Sequence, residues 1–391
     1  MNTSTRWPVI LLALGGGILA ASHFGKMPPS LPTIRDDLQL TLVQAGWAVS
    51  VFSLIGLVFG LFAGLLTDSF GARRILSLGL ILLALGSLAG SFAETGSALL
   101  AARAIEGGGF LAAATSGGVL IAQATANEDL KLTLGLWSTY MPAGSALMIL
   151  ASPILLEALG WQGLFQLVAG ISLLWALLLL RIDAPAPARR TIRQSLGQTV
   201  RTVLTSVGPV VLSLCFSFYT FQWITLMVWL PSAMIETMGL STAAAATVTA
   251  IVVATNIVGN LGAGWLQSRG LKRWAVLAGG AVLMMVSAQI IFMDTLPDYL
   301  RLIGCLVFSG AGGMLPGAIL SGAPVVSPTP NLIGATNGLM VQGSHLGQMI
   351  GPPVIAAIVS ASGHWEASVW AMNAAALLTI LLVFLTRRQI G

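Results

Sequence analysis

The chain has 391 residues, of which 56% are hydrophobic and only 8% are charged, and its formal net charge is +5. Soluble globular domains carry roughly 25% charged residues, so this composition excludes a water-soluble globular protein and indicates an integral membrane protein. The two cysteines both lie inside apolar stretches, which favours buried thiols over a disulfide framework.

Apolar stretches long enough to cross a bilayer recur along the chain, and about 20 residues are needed for one helical span. The first stretch has no typical cleavage site, so we interpret it as a retained helix and not as a signal peptide. We expect Pro28 and Pro29 to end this helix. In chain order, the sequence predicts twelve transmembrane helices, at residues 7–27, 42–66, 74–93, 98–123, 132–156, 162–182, 208–234, 243–267, 273–293, 299–323, 332–360 and 366–386.

One connection between these spans is much longer than the others. Residues 183–207 are rich in Pro and Ala and then basic, and they separate two nearly equal domains, predicted at residues 1–182 and 208–391. The basic residues predict the orientation, because Lys and Arg concentrate in cytoplasmic loops. With a cytoplasmic N-terminus, 14 of the 18 basic residues fall on the cytoplasmic side. We therefore predict that both termini are cytoplasmic.

The two halves contain an internal repeat with an offset close to 200 residues. A repeat of half the chain in the same orientation predicts two six-helix units, with the substrate site between them near mid-membrane. Three pairs of segments share this offset: "GLLTDSFGARR" from Gly64 and "GWLQSRGLKR" from Gly264, the glycine-rich spans that begin near Arg103 and Arg301, and residues 159–165 and 362–368.

The loop between predicted helices 2 and 3 carries a recognisable motif. Its residues Gly64, Asp68, Gly71, Arg73 and Arg74 resemble the hallmark motif of the major facilitator superfamily, although Ser69 stands at a position that is usually basic. The resemblance implies an all-α membrane protein with twelve transmembrane helices in two pseudo-symmetric six-helix bundles. It also implies a bacterial secondary transporter and not an enzyme.

Other segments extend the resemblance over the whole chain. "RAIEGGGF", from Arg103, is similar to the helix-4 motif of the superfamily, whereas the second copy of the loop motif has Ser268 where Asp is expected. "WLP" at 229–231, "GLS" at 239–241 and "PPSLPTIRDDL" after helix 1 are similar to the cyanate-permease-like group of bacterial permeases.

Ionisable side chains inside the spans are functional candidates, because burying them in lipid is costly. A spacing of three places His23 and Lys26 on one face of helix 1, and Arg103 and Glu106 on one face of helix 4. At about 1.5 Å per residue, all four lie in the outer half of the membrane. The resemblance implies that helices 1, 4, 7 and 10 line a central cavity. The six candidates are His23, Lys26, Arg103, Glu106, Arg301 and His345.

Two interpretations of this group remain open. In the structural one, Glu106 neutralises Arg103 or Lys26 and holds helices 1 and 4 together. In the functional one, Lys26, Arg103 and their counterpart Arg301 bind an anion, while Glu106 or a histidine takes up the coupled proton. A third alternative concerns Lys26 alone, which precedes two prolines and can snorkel to the interface.

Further candidates lie on helices 5, 7 and 11. Tyr219, Gln222 and Trp223 fall within one turn of helix 7, and an aromatic ring beside an amide suits a small polar ligand. Tyr140 on helix 5 is a further candidate for the substrate cavity. His345, near the middle of helix 11, either hydrogen-bonds a glutamine on an adjacent turn or serves as a proton relay.

The motif loop itself is too far from mid-membrane to bind substrate, and a gating role is expected for it. Asp68 can accept hydrogen bonds from a facing helix N-terminus or an arginine. Arg73 and Arg74 can pair across the two halves or bind anionic lipid head groups. The alternative is a plain positive-inside anchor for the membrane.

Several chemistries have no support in the sequence. A Walker-type phosphate loop is missing, so direct drive by ATP is not expected. The histidines and cysteines lack metal-ligand spacing, and no nucleophilic triad can be placed. We expect no enzyme activity, no cofactor, no metal and no nucleic-acid partner.

The sequence therefore predicts a secondary active transporter of the bacterial inner membrane. We expect it to move a small anionic solute by alternating access with proton symport, as a monomer surrounded by lipid. The alternative is a proton-coupled exporter of amphipathic drugs or metabolites.

Overall fold

The computed structural model describes residues 4–126, 128–182, 196–329 and 332–391, without the side chains at 64–66, 68, 69, 131 and 196. Arginines 189, 190 and 193 of the predicted linker lie outside these residues. The helices of the described residues are α1 (Trp7–Gly25), α2 (Met27–Asp37), α3 (Leu42–Ser50), α4 (Leu54–Phe70), α5 (Ala72–Ser91), α6 (Gly96–Ala124), α7 (Leu130–Ser138), α8 (Tyr140–Arg181), α9 (Leu196–Leu204), α10 (Val207–Met238), α11 (Thr242–Ser268), α12 (Arg273–Phe292), α13 (Asp298–Leu320), α14 (Ala323–Val326), α15 (Ile333–Ser362), α16 (Ser368–Leu385) and α17 (Arg387–Ile390).

The prediction of an all-α fold with twelve spans is confirmed. Ten helical segments in the described part are long and apolar enough to cross a membrane. One of these is α8, which breaks at Gly160 (φ 65°, ψ 177°) and therefore holds two spans. This backbone conformation is essentially restricted to glycine. The 30-residue helix α15 adds the twelfth span.

The first helix ends at Gly25, close to its predicted end at residue 27, but the prediction that the membrane span ends at Pro28 and Pro29 is wrong. Lys26 has helical angles (φ −68°, ψ −25°) and joins α1 to α2, so that Trp7–Asp37 forms one 31-residue segment. Both prolines lie in the first turn of α2, where the missing N–H leaves no hydrogen bond unmade. His23 and Lys26 consequently lie about 21 and 16 Å from the C-terminal end of this segment, further from its end than predicted.

The first of two compact units comprises Met1–Leu40 and Phe62–Ile192. In this unit α1 packs against α6 and α8, and α5 packs against the same two helices. Glycine permits one of these close contacts, because a Cβ on Gly86 of α5 would lie 2.7 Å from Cγ of Glu106 and 2.8 Å from its backbone N. The four helices therefore enclose the side chains that α1 and α6 direct inward.

The second unit comprises Thr41–Leu61 and Arg193–Gly391. Here α10 packs on α15, while α11 and α12 pack on α13. The α3 helix begins with a capping box, in which the Thr41 hydroxyl accepts from the Gln44 N–H and the Gln44 side chain accepts from the Thr41 N–H. This arrangement satisfies two backbone donors at the helix start. The α3 helix also packs on α15 within this unit.

Candidate functional site

A cluster of ionisable side chains lies in the interior of the first unit. His23, Lys26, Arg103 and Glu106 are all 0% exposed. Glu106 is at the centre: its Oε1 accepts a hydrogen bond from Lys26 Nζ at 2.5 Å and lies 3.2 Å from His23 Nδ1. Its Oε2 accepts from Arg103 Nη1. The structure thus brings together the four residues that the spacing placed on one face of each helix.

The Lys26 ammonium group is enclosed by the protein and does not snorkel. Besides Glu106, it donates to Ser87 Oγ on α5 at 2.6 Å and lies 3.4 Å from His23 Nδ1. It also lies 3.7 Å from the centre of the Phe165 ring, within the range of a cation–π interaction. An ammonium group has three N–H donors, and three acceptors surround this one.

Two serines connect the cluster to the neighbouring helices. Ser87 donates to the Phe165 carbonyl oxygen at 2.7 Å, so its oxygen is the acceptor for Lys26. Ser172 Oγ lies 2.8 Å from His23 Nε2. Sequence reasoning missed Ser87, Phe165 and Ser172. A serine within a span usually bonds its own helix backbone, so nothing in the sequence indicated that these two reach other helices.

The charges of this cluster do not balance. Lys26 and Arg103 are two cations, Glu106 is one anion, and a neutral His23 leaves one excess positive charge. Arg103 is also held by its hydrogen bond to the His23 carbonyl oxygen, at 3.1 Å. Removing charges from water is expensive unless each is paired and hydrogen-bonded. An excess charge in a membrane interior therefore marks a functional candidate.

A second feature of the first unit is an aromatic platform formed by Phe110, Trp137 and Tyr140. The Trp137 and Tyr140 rings stack with centroids 4.4 Å apart, and Phe110 lies 6.4 Å from Tyr140. Trp137 and Tyr140 are partly exposed. Phe110 is the middle residue of α6, which places the platform near mid-span. Of these, only Tyr140 had been predicted, although its spacing of three from Trp137 was a usable signal.

The predicted helix-7 residues belong to a polar network in the second unit. Asn256 Nδ2 donates to Tyr219 Oη at 3.0 Å, and Trp223 Nε1 donates to Ser309 Oγ at 3.0 Å. The amide of Gln222 donates to the Phe218 carbonyl oxygen. All three predicted side chains are buried, so this network links α10 to α11 and α13.

Two other predicted residues also lie in the second unit. Arg301 pairs with Asp294 at 3.0 Å and with Asp298 at 3.5 Å, and its Nε donates to the Ile291 carbonyl oxygen. These contacts hold the ends of α12 and α13 together and already neutralise the guanidinium. His345 packs its ring against Gly56 of α4, at a point where a Cβ would collide with the imidazole.

The motif loop contributes contacts inside the first unit. Gly71 has φ 89°, a conformation that favours glycine, at the junction of α4 and α5. Arg73 Nη1 donates to the carbonyl oxygens of Leu180 and Ile182, which are free acceptors at the end of α8. Arg73 thus caps a helix of its own unit, and Arg74 is exposed. The predicted gating positions Gly64 and Asp68 lie in α4, and the side chain of Asp68 is outside the described part of the chain.

The full length of the chain has relatives among known transporters. The hexuronate transporter of Bacillus subtilis is 23% identical over 389 residues, which cover 94% of this chain and 91% of the relative. A methylenomycin A resistance protein of Streptomyces coelicolor is 29% identical over 162 residues, which cover 41% of this chain and 34% of the relative. This second likeness therefore concerns only part of either protein.

The fold also has a close counterpart among solved structures. The crystal structure of a bacterial homologue of the human lysosomal transporter Spinster, in an inward-facing and occupied conformation, superposes with a TM-score of 0.82. The match covers 100% of this chain and 98% of that chain, at 16% identity. The sequence pattern of the family described as Major Facilitator Superfamily matches residues 12–341 and 212–390 of this chain. With its twelve spans and this match over most of its length, the chain belongs to the Major Facilitator Superfamily of membrane transporters.

Proposed function

We propose that this transporter moves a small organic anion of the sugar-acid class across the bacterial inner membrane, together with protons. The observation that carries the proposal is the excess positive charge of Lys26 and Arg103 over Glu106 in the interior of the first unit. Coulomb interactions reach further in a low-dielectric interior than in water. The cluster therefore favours an anion over a neutral or cationic solute in its neighbourhood.

The proton coupling follows from the same charge. A titratable group of the cluster that gains or loses a proton changes the field that the anion experiences. The two ligands are then linked, because each alters the affinity for the other by the same factor. Such linkage is the thermodynamic requirement for symport.

The sugar-acid class is supported by the aromatic platform and by the hexuronate transporter among the relatives. Trp137 and Tyr140 present ring surface near mid-span, and a sugar ring has apolar C–H faces that pack on aromatic rings. A platform for the ring and a positive field for the carboxylate together match the two parts of a sugar acid.

Uptake into proteoliposomes tests this function. We expect radiolabelled hexuronates to accumulate faster when the outside is more acidic than the inside, and a protonophore to abolish this difference. Neutral hexoses of the same size provide the matched comparison. Uptake of neutral hexoses with no uptake of any organic anion would contradict the proposal.

The contribution of the platform gives a separate prediction. Trp137→Ala should raise the KM for the transported anion roughly 10-fold, equivalent to about 1.4 kcal/mol, because it removes half of the stacked pair. Trp370→Ala is the matched control, since Trp370 is 80% exposed on α16. Tyr140→Phe keeps the ring and should change KM much less than Trp137→Ala. Equal effects of Trp137→Ala and Trp370→Ala on KM would show that the platform does not contribute to substrate binding.

A second candidate function is export of amphipathic drugs, which the partial likeness to a methylenomycin A resistance protein favours. Under this alternative, overexpression raises the resistance of cells to antibiotics or cationic dyes. Dye efflux that competes with no anion would identify the exporter.

A further inference from the structure

We infer that Lys26 is the residue that binds and releases the coupled proton, and that Glu106 stays ionised throughout the transport cycle. This inference rests on the proposed proton-coupled function and names the group within the cluster that carries the proton. It differs from the expectation that Glu106 or a histidine takes this role.

The charge count singles out Lys26. With Lys26 and Arg103 charged and Glu106 ionised, the cluster holds one excess positive charge. Protonating Glu106 or His23 would raise the excess to two buried positive charges. A guanidinium does not deprotonate in proteins. Loss of a proton from Lys26 is therefore the one change at these four groups that leaves the cluster neutral.

The surroundings of Lys26 fit this role. The titratable or charged groups that face it are His23 from α1 and Glu106 and Arg103 from α6. The groups that face it from α5 and α8 are Ser87 and Phe165, which are neutral. The Glu106 carboxylate pairs with Arg103 in both states of Lys26. Its second oxygen faces the Lys26 ammonium while Lys26 is charged, and it lies within reach of His23 Nδ1 when Lys26 is neutral. The carboxylate is therefore stabilised whether or not Lys26 carries a proton.

His23 provides the next acceptor for the proton. While the Lys26 ammonium donates toward Nδ1, that nitrogen is an acceptor and the ring proton resides on Nε2, facing Ser172. When a Lys26 N–H bond breaks, Nδ1 takes the proton, and the imidazolium returns to neutrality by passing its Nε2 proton to Ser172 Oγ. Ser172 in turn releases its own hydroxyl proton to water that enters the transport pathway. Nδ1, which lies 3.2 Å from Glu106 Oε1, then carries a proton and donates a hydrogen bond to that oxygen. Glu106 thus retains a donor after Lys26 has become neutral.

The lysine content of the protein makes a direct test practical. The chain contains three lysines, Lys26, Lys131 and Lys272. Protein labelled with 13Cε-lysine gives three NMR signals in detergent micelles, which Lys131→Arg and Lys272→Arg assign without altering the cluster. Lys272, exposed in the loop before α12, provides the reference signal. The measurement uses the wild-type cluster and therefore does not depend on a variant folding.

We expect the Lys26 signal to titrate with a midpoint that coincides, within about 0.5 pH unit, with the midpoint of the pH profile of uptake. Lys26→Arg keeps the charge but cannot release the proton. In this variant the ratio of uptake with a pH gradient to uptake without one should fall at least 10-fold. A Lys26 signal that stays constant across the pH range in which uptake changes would overturn the inference. So would a folded Lys26→Arg variant with the wild-type pH profile.

These outcomes are distinct from failure of the proposed function. If no anion is transported in any condition, the proposed function fails, while the titration of Lys26 is still measured. If anions are transported with protons and Lys26 does not titrate, the function stands and the assignment of the proton to Lys26 is wrong.

Discussion

Replacing Glu106 by glutamine is expected to destabilise the whole first unit strongly. The substitution leaves the Lys26 ammonium and the Arg103 guanidinium buried beside a neutral amide, without the carboxylate that pairs with both. Removing one partner of a buried ion pair typically costs about 3–5 kcal/mol, because the other charge stays buried and uncompensated. Thermal unfolding in detergent, followed by tryptophan fluorescence, measures the loss.

The control for this substitution is Glu157→Gln, since Glu157 is exposed on α8 and should tolerate the change. A second variant separates lost charge balance from lost packing. Glu106→Gln combined with Lys26→Met restores the wild-type excess of one positive charge and should recover part of the lost stability. Wild-type stability of Glu106→Gln would contradict the charge argument, as would a double variant less stable than Glu106→Gln alone.

Replacing Gly313 by alanine is expected to separate α11 from α13 and to destabilise the second unit. A Cβ on Gly313 would collide with the Asn256 carbonyl oxygen and lie 3.0 Å from the Asn260 backbone N. Both contacts are helix backbone, which cannot rotate away as a side chain does. Overpacking of this kind typically costs about 1–3 kcal/mol. The displacement should also weaken the hydrogen bond from Asn256 to Tyr219.

Gly262→Ala on α11 is the matched control, because a Cβ there meets nothing within 4 Å. Alanine is the better helix former by about 0.8–1.0 kcal/mol, so this variant should be as stable as the wild type or more so. Measured in the same detergent, the unfolding temperature should therefore fall for Gly313→Ala and stay unchanged or rise for Gly262→Ala. A loss of the same size in both variants would exclude close packing as the cause.

The Glu106→Gln variant also bears on how transport is coupled to protons. A Glu106→Gln protein that is merely unstable does not report on the proton site, and its loss of uptake has a structural cause. Stability and uptake must therefore be measured on the same preparation. The titration of Lys26 avoids this difficulty because it leaves Glu106 in place.

The sequence by itself determined the class of protein and its twelve spans. The length of an apolar stretch is a local property of the sequence, since each span must satisfy its own backbone hydrogen bonds within the bilayer. The helix-2 to helix-3 motif, from Gly64 to Arg74, pointed to the superfamily that the comparisons confirm. Spacing also placed His23 with Lys26, and Arg103 with Glu106, because residues three apart share a helix face.

Only the tertiary structure decided which helices those faces meet. Most spans are apolar around much of their circumference, so no periodicity shows how each is rotated toward its neighbours. Ser87 and Ser172 become partners of Lys26 and His23 through contacts between helices distant in the chain. The same holds for Arg301, whose pairing with Asp294 depends on where α12 ends beside α13.

The segment after His23 shows the same division between local and tertiary information. The sequence placed a charge beside two prolines and predicted a helix end, because proline usually interrupts a helix. In the structure Lys26 continues the helical backbone, and the prolines begin the next helix instead. Three acceptors and an aromatic ring hold the ammonium group inside the unit, at a depth that the short predicted helix did not allow. A buried charge is retained only where other helices supply its partners, and those partners are known only from the folded chain.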